Sequence, residues 1–283
     1  MADEYSLPDG VDLIADVEFA RPQGHSLRLD VYRPRGAAIV PCVVFIFGGA
    51  WRMGDKASVR GRCGALHLAT CGYAVAAVSY RLSQVAKFPA QIRDVKSAIA
   101  FLRRNAERFG LDTSRFAALG PSAGGHLAAM AGVTDGIETF EPAEGLPQPS
   151  GTSVQAVIDY FGPTDFLQMD AHSINDQIVH DAADSPESQL VGGPVQDNIA
   201  LVQAANPLTW VTPQAPPFLL IHGDADPLVP FNQSELLAAE LEVNGVPHEL
   251  ICVEGGGHGD GGEFEAGALE REVERFLGEH LGT

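Results

Sequence analysis

The chain predicts an α/β fold: a doubly wound, mostly parallel sheet of about eight strands with helices on both faces. Three observations predict it. Apolar runs of strand length alternate with helix-like segments along nearly all of the 283 residues. Some of these runs are apolar at every position, as strands buried on both faces must be. The residues able to carry chemistry fall just after strand ends, where ligands bind in open parallel sheets. A chain of this size forms one domain in many α/β folds, so residues 1–283 are expected to be a single domain. A hydrophobic content of 45 % is ample for a covered sheet.

The elements follow in order. Residues 12–20 and 26–32 alternate apolar and polar and are joined by Pro22-Gln23-Gly24, a hairpin-like opening. Residues 41–47 are a continuous apolar run, a strand buried on both faces. Residues 57–71 then read as helix, 73–79 as strand, and 89–109 as one long helix with Arg93 and Asp94 on its polar side. A strand at 115–119 precedes a small-residue helix at 127–132. Residues 134–151, acidic and rich in Pro and Gly, make a surface loop before a strand at 154–160. Strand 217–223, helix 232–244, strand 249–253 and helix 267–281 finish the chain. One stretch breaks the rhythm. In 162–213, Met169, Ile174, Ile178, Leu190, Val191 and Ile199 are scattered among polar residues. This reads as a cap with short helices.

Between strand 115–119 and its helix lies Gly120-Pro121-Ser122-Ala123-Gly124-Gly125-His126. Gly-x-Ser-x-Gly at a strand-to-helix turn is the pattern of a nucleophile elbow. Ser122 would sit at the tip of a strained turn, and Gly120 and Gly124 lack the Cβ atoms that would collide there. The turn leaves the Ala123 N–H at the helix N-terminus, where the dipole favours an oxyanion. Partners are expected downstream. Asp224-Ala225-Asp226-Pro227 follows the strand 217–223, and His258 lies among glycines just beyond the strand 249–253. Asp224 is the rival acid, but Pro227 and Pro230 stiffen the loop and favour Asp226. The order Ser122, Asp226, His258 is that of a catalytic triad on this kind of sheet.

The other histidines carry blander readings. His126, four residues along the helix from Ser122, points into the scaffold. His25, His172, His180 and His280 lie in polar or terminal segments and are read as solvated. His67 sits in a helix, His222 at a strand end and His248 at a strand start, where local hydrogen bonding suffices. After the strand 41–47 comes Phe47-Gly48-Gly49-Ala50-Trp51. A tetrahedral intermediate needs two or three N–H donors, each worth about 3–4 kcal/mol. Gly49 and Ala50, acting with Ala123, are the candidates, and Gly48 is a hinge.

Several segments together carry a family resemblance: Gly48-Gly49-Ala50-Trp51 with Gly54-Asp55-Lys56; Ser79-Tyr80-Arg81-Leu82; Phe88-Pro89-Ala90 with Asp94-Val95-Lys96; Gly120 to His126; Phe161-Gly162-Pro163-Thr164-Asp165; and His222-Gly223 with Asp226. The chain resembles, over nearly its whole length, the lipase/esterase branch of the α/β-hydrolases related to the hormone-sensitive lipases. Within that branch it is similar to the bacterial acetyl-xylan and feruloyl esterase-like group. The resemblance implies an α/β-hydrolase fold with Ser122 as nucleophile, Asp226 as acid and His258 as base. It also implies Gly49, Ala50 and Ala123 as oxyanion donors. There is one departure. The family places a histidine before its glycines to brace the oxyanion loop by hydrogen bonding. Here that position is Phe47, which must brace it by packing.

The expected function is hydrolysis of small soluble esters with short or aromatic acyl groups, through an acyl-enzyme. Trp51, Phe161, Phe166 and Trp210 are candidates to line the pocket. An amidase of arylformamidase type would use the same triad, and a non-catalytic binding relative would be expected to lack one of its members. A formal charge of −19 argues against nucleic acid and anionic membrane surfaces as partners. Lysine occurs only at Lys56, Lys87 and Lys96, a bias that a salt-adapted host would also produce. Cys42 and Cys252 fall in apolar strands, while Cys63 and Cys71 flank the helix 57–71 and are too far apart to bridge. No Cys-x-x-Cys or Cys/His metal spacing is present, so neither metal nor cofactor is expected. The start Met1-Ala2-Asp3-Glu4-Tyr5 is unlike a signal peptide, and no apolar run approaches a membrane span. A soluble cytoplasmic protein with a small-molecule ester substrate is expected, with homo-oligomerisation left open.

Overall fold

A computed structural model describes residues 7–61, 63–142, 151–265 and 267–282. Eight strands form one sheet: β1 (Val11–Ala20), β2 (Leu27–Pro34), β3 (Val40–Ile46), β4 (Ala74–Val78), β5 (Leu111–Pro121), β6 (Ala156–Tyr160), β7 (Phe218–Gly223) and β8 (His248–Val253). Their order is β1-β2-β4-β3-β5-β6-β7-β8. The β1–β2 and β2–β4 pairs are antiparallel, and every pair from β4 to β8 is parallel. Every residue of β3, β4, β6 and β7 is buried. Alternate side chains of a strand point to opposite faces, so such strands need cover on both. The helices are α1 (Ala90–Arg104), α2 (Ala106–Phe109), α3 (Ala123–Val133), α4 (Met169–His172), α5 (Pro186–Val191), α6 (Ile199–Ala205), α7 (Asn232–Val243) and α8 (Ala268–His280). Among the described residues, no helix is long and apolar enough to cross a membrane.

Local chemistry redraws several of the expected elements. The helix expected at 57–71 is two 3₁₀ stretches, Lys56–Gly61 and Ala65–Thr70. Positive φ at Cys63 (56°) and Gly64 (57°) is incompatible with a continuous right-handed helix. The helix expected at 89–109 divides at Asn105, whose side-chain amide turns back to donate to Phe101 O at 2.8 Å. Asp94 is not on a polar face. It is 2 % exposed and accepts a bidentate pair from Arg81, with Nε–Oδ2 and Nη2–Oδ1 both at 2.8 Å. Helix α3 begins at Ala123, immediately after Ser122, rather than at 127. Cys252 is exposed because β8 is an edge strand, whereas Cys42 in β3 is fully buried. Of the acidic loop expected at 134–151, residues 143–150 lie outside the described residues.

Between β6 and β7 the chain forms α4, α5 and α6 and three short 3₁₀ turns. Met169, Leu190 and Val191 anchor this stretch in the core. Ile174 and Ile199, expected to help, are exposed at 62 % and 41 %.

Candidate active site

Ser122 holds φ 55° and ψ −124°, a backbone conformation that L-residues adopt only when the surroundings impose it. The imposition is visible. Ser122 N donates to Tyr160 O at 2.8 Å, and His126 N donates to Ser122 O at 2.9 Å. A Cβ on Gly124 would lie 2.0 Å from Ile46 O, so only glycine lets α3 close onto the end of β3. The first N–H groups of α3 have no partner within the helix. Among the described residues, the Ala123 N–H, next to Ser122, has no backbone partner outside the helix either.

The loop after β7 presents Asp226, 2 % exposed. Its Oδ1 accepts the Leu228 and Val229 N–H groups at 2.8 and 2.9 Å. Its Oδ2 accepts from His258 Nδ1 at 2.7 Å and lies 3.3 Å from His222 Nε2. Burial pushes the Asp226 carboxyl up. The bonds from His222 and His258, the His258 charge and the Val229 N–H outweigh it, holding the group well below the usual carboxylate range. Asp224 instead accepts from Gly255 N at 2.7 Å, so it secures the loop that carries His258. The imidazole of His258 rests against the Phe161 ring, with centroids 4.5 Å apart. Ser122 and His258 line one cavity of about 630 Å³ but are not hydrogen-bonded to each other. In resting sites of this kind that bond often forms only with substrate present.

Gly48, Gly49 and Ala50 form the cavity wall on the β3 side. The backbone is turned sharply there, with φ 112° at Gly49, 53° at Ala50 and 55° at Trp51. Gly49 is required, since a Cβ would lie 2.3 Å from Met53 O. Two braces hold this loop. The Phe47 ring stacks on Tyr80 with centroids 4.2 Å apart and planes at 10°, and the Tyr80 hydroxyl donates to Phe47 O at 3.0 Å. Trp51 Nε1 donates to His126 Nδ1 at 3.2 Å, and His126 Nε2 donates to Ala205 O at 2.7 Å. With Nδ1 accepting, this histidine must be neutral. Burial enforces it, pushing the His126 pKa down to about 4.

The aromatic candidates separate. Trp51 and Phe161 line the cavity. Phe166 does not: it is fully buried behind Trp51, with ring centroids 5.4 Å apart. Trp210 is also outside, packed edge-on to Phe140 with its Nε1–H on Ala204 O. The remaining wall comes from elsewhere. Met53, Leu228 and Val229 contribute apolar surface, and the 162–213 stretch contributes Ile178, Val179, His180, Pro186 and Glu187. His180, read as solvated, is 4 % exposed, as is Glu187. His180 Nδ1 and Glu187 Oε1 are 3.3 Å apart but misaligned for a hydrogen bond, leaving both ring nitrogens and Glu187 Oε2 without partners among the described residues. Burial lowers the His180 pKa, but Glu187, Asp170 and Asp181 outweigh it and hold it above the ordinary histidine value.

The sequence of residues 29–241 matches the BD-FAE family. "Esterase LipC" of Mycobacterium tuberculosis is 35 % identical over 237 residues, covering 82 % of this chain and 56 % of that protein. The chain spans about half the length of the curated relatives it matches. Among solved structures, a truncated carbohydrate esterase from gut microbiota shares 31 % identity at a TM-score of 0.85, covering 100 % of this chain and 99 % of that one. A butyrate-bound esterase, Est2 of the planctomycete Thermogutta terrifontis, shares 26 % at a TM-score of 0.73, covering 96 % and 93 %. On the family match and on the sheet with its strand-end elbow, the chain belongs to the BD-FAE family and has the α/β-hydrolase fold.

Proposed function

We propose that this chain is a serine carboxylic-ester hydrolase working through an acyl-enzyme on Ser122. The observation that carries the reading is the Asp226–His258 hydrogen bond of 2.7 Å, ending in a cavity that His258 shares with Ser122. Asp226 fixes the Nδ1–H tautomer, which leaves the His258 Nε2 lone pair to take the Ser122 proton. Ser122 attacks the ester carbonyl, and the charge that develops meets the N–H groups of Gly49, Ala50 and Ala123. His258 returns the proton to the departing alcohol, then activates water to release the acid.

Short acyl groups suit the site. The cavity is of small-ligand size, and the Thermogutta terrifontis relative holds butyrate. His180 and Glu187 add an N–H donor and a carboxylate acceptor to a lining that also includes Arg52 and Ser58, which suits a hydroxyl-bearing alcohol. The 162–213 segment that supplies His180 and Glu187 acts as the cap of a single domain spanning the chain.

Initial rates on p-nitrophenyl acetate, butyrate and octanoate, for the wild type and Ser122→Ala, test the reading. The expected result is a preference for acetate or butyrate and a loss of about 10³-fold or more in the variant. A variant that keeps most of the rate removes Ser122 as nucleophile. Faster turnover of a matched anilide than of the ester would make the enzyme an amidase.

A further inference from the structure

Away from the cavity, the Ala65–Thr70 turn and α8 bring together three donor atoms of different chemistry. His67 Nε2 lies 2.9 Å from Glu274 Oε1 and 3.4 Å from Cys71 Sγ. All three ligand atoms fall within 4.8 Å of one another. The hydroxyl of Thr70 settles which imidazole nitrogen carries hydrogen. It donates its own hydrogen to His67 O at 2.8 Å, so toward His67 Nδ1, 3.3 Å away, it presents a lone pair. Nδ1 is then an N–H donor, so in the neutral imidazole it is Nε2, beside the carboxylate and the sulfur, that offers the lone pair.

In the metal-free chain the Cys71 thiol carries its own proton; once that proton is lost, the sulfur, Nε2 and the carboxylate present three lone pairs to one point. A proton on Nε2 would serve the carboxylate alone, as a half-exposed ion pair. A divalent transition ion would serve all three. Zinc binds nitrogen, thiolate and carboxylate at about 2.0–2.3 Å, which puts ligands of a tetrahedral centre about 3.3–3.8 Å apart. The present spacing needs only a small opening of the Glu274 side chain. The Thr70 bond to Nδ1 is the outer contact that fixes the ring of a metal-bound histidine.

We propose that His67, Cys71 and Glu274 form a binding site for one Zn²⁺-class divalent ion per chain, its fourth position open to water. No Cys-x-x-Cys or paired-histidine spacing announces it, because Glu274 is 207 residues from His67. Binding takes Cys71 as thiolate and releases its proton to solvent. The ion ties α8 to the turn at 65–71 and stabilises the folded chain by linkage. None of the three residues lines the cavity, so the site does not depend on the hydrolytic reading.

The test is a titration of chelator-treated protein with Co²⁺, whose spectrum reports both geometry and thiolate ligation. One equivalent should bind, with a thiolate-to-cobalt absorption band and a tetrahedral visible spectrum, both displaced by Zn²⁺. The melting temperature should rise with either ion. Cys71→Ser should abolish the thiolate band, and Glu274→Gln, on an accessible helix face, should weaken Co²⁺ binding at least tenfold. Absence of one-equivalent binding, or a thiolate band that survives Cys71→Ser, overturns the proposal. So does Co²⁺ affinity unchanged in Glu274→Gln.

Discussion

Asp159, at the end of β6, packs directly behind the elbow that carries Ser122. It is 1 % exposed and its Oδ1 accepts the Gly162 N–H at 2.9 Å, while Oδ2 has no partner among the described residues. Burial pushes its pKa up to about 7, against the opposing pull of that N–H. An unfolded aspartate releases its proton near about pH 3.9, so the folded chain keeps a proton that the unfolded chain gives up. The stability this group contributes is full below that value and is lost as pH climbs through about 7. Asp159→Asn keeps the shape and the acceptor but cannot ionise. Its melting temperature should therefore decline less than that of the wild type between about pH 4 and about pH 8; parallel declines would refute the assignment. Glu187 carries a second test. If its carboxylate receives a hydroxyl of the substrate, Glu187→Gln should cost about tenfold in kcat/KM on glyceryl monoacetate, the loss of one charged hydrogen bond. On p-nitrophenyl acetate, whose leaving group has no such hydroxyl, the same variant should be nearly unchanged. Equal losses on both would make Glu187 structural.

At the scale of the element, the loop after β3 shows what a single sequence does and does not display. The elbow is legible because its chemistry is local: glycines at fixed offsets from Ser122, between a strand and a helix. Asp226 and His258 are legible because both follow apolar strands in the expected order. The braces are not, since their partners are distant: Trp51 and His126 are 75 residues apart, His126 and Ala205 are 79. Aromatic side chains are as useful in a core as in a pocket, which is why Phe166 and Trp210 were expected in a cavity they do not reach. The Phe47–Tyr80 contact lies between these cases. Packing at Phe47 follows from the missing histidine, but the Tyr80 hydroxyl on Phe47 O does not. Tyr80→Phe keeps the stacked ring and leaves that buried carbonyl unpaired, at a cost of about 1–3 kcal/mol. If the bond aims the donors at the developing oxyanion, kcat should fall about tenfold with little change in KM. A lower melting temperature with kcat intact would limit Tyr80 to a stabilising role.

For the whole molecule the dominant quantity is charge. The chain has 37 acidic residues against 18 Lys and Arg, and many of those few cations already have partners. Arg81 is held by Asp94, Lys96 by Glu141, Lys56 by Asp16 and Asp30, and Arg275 by Glu249, Glu272 and Glu279. The remaining acidic excess repels itself across the surface, which disfavours the compact state. Salt acts on both terms with opposite sign: it screens the repulsion and also weakens the exposed pairs. Exposed pairs contribute little to begin with, and the buried Arg81–Asp94 contact is poorly reached by ions. Relief of repulsion should therefore win. The melting temperature should rise from low ionic strength to about 0.5 M, over which the screening length drops well below about 10 Å. The rise should be similar in sodium chloride and choline chloride, because screening does not depend on the identity of the cation. A fall in both salts would show that ion pairs outweigh the repulsion. A rise in sodium chloride alone would point to specific cation binding at the acidic surface.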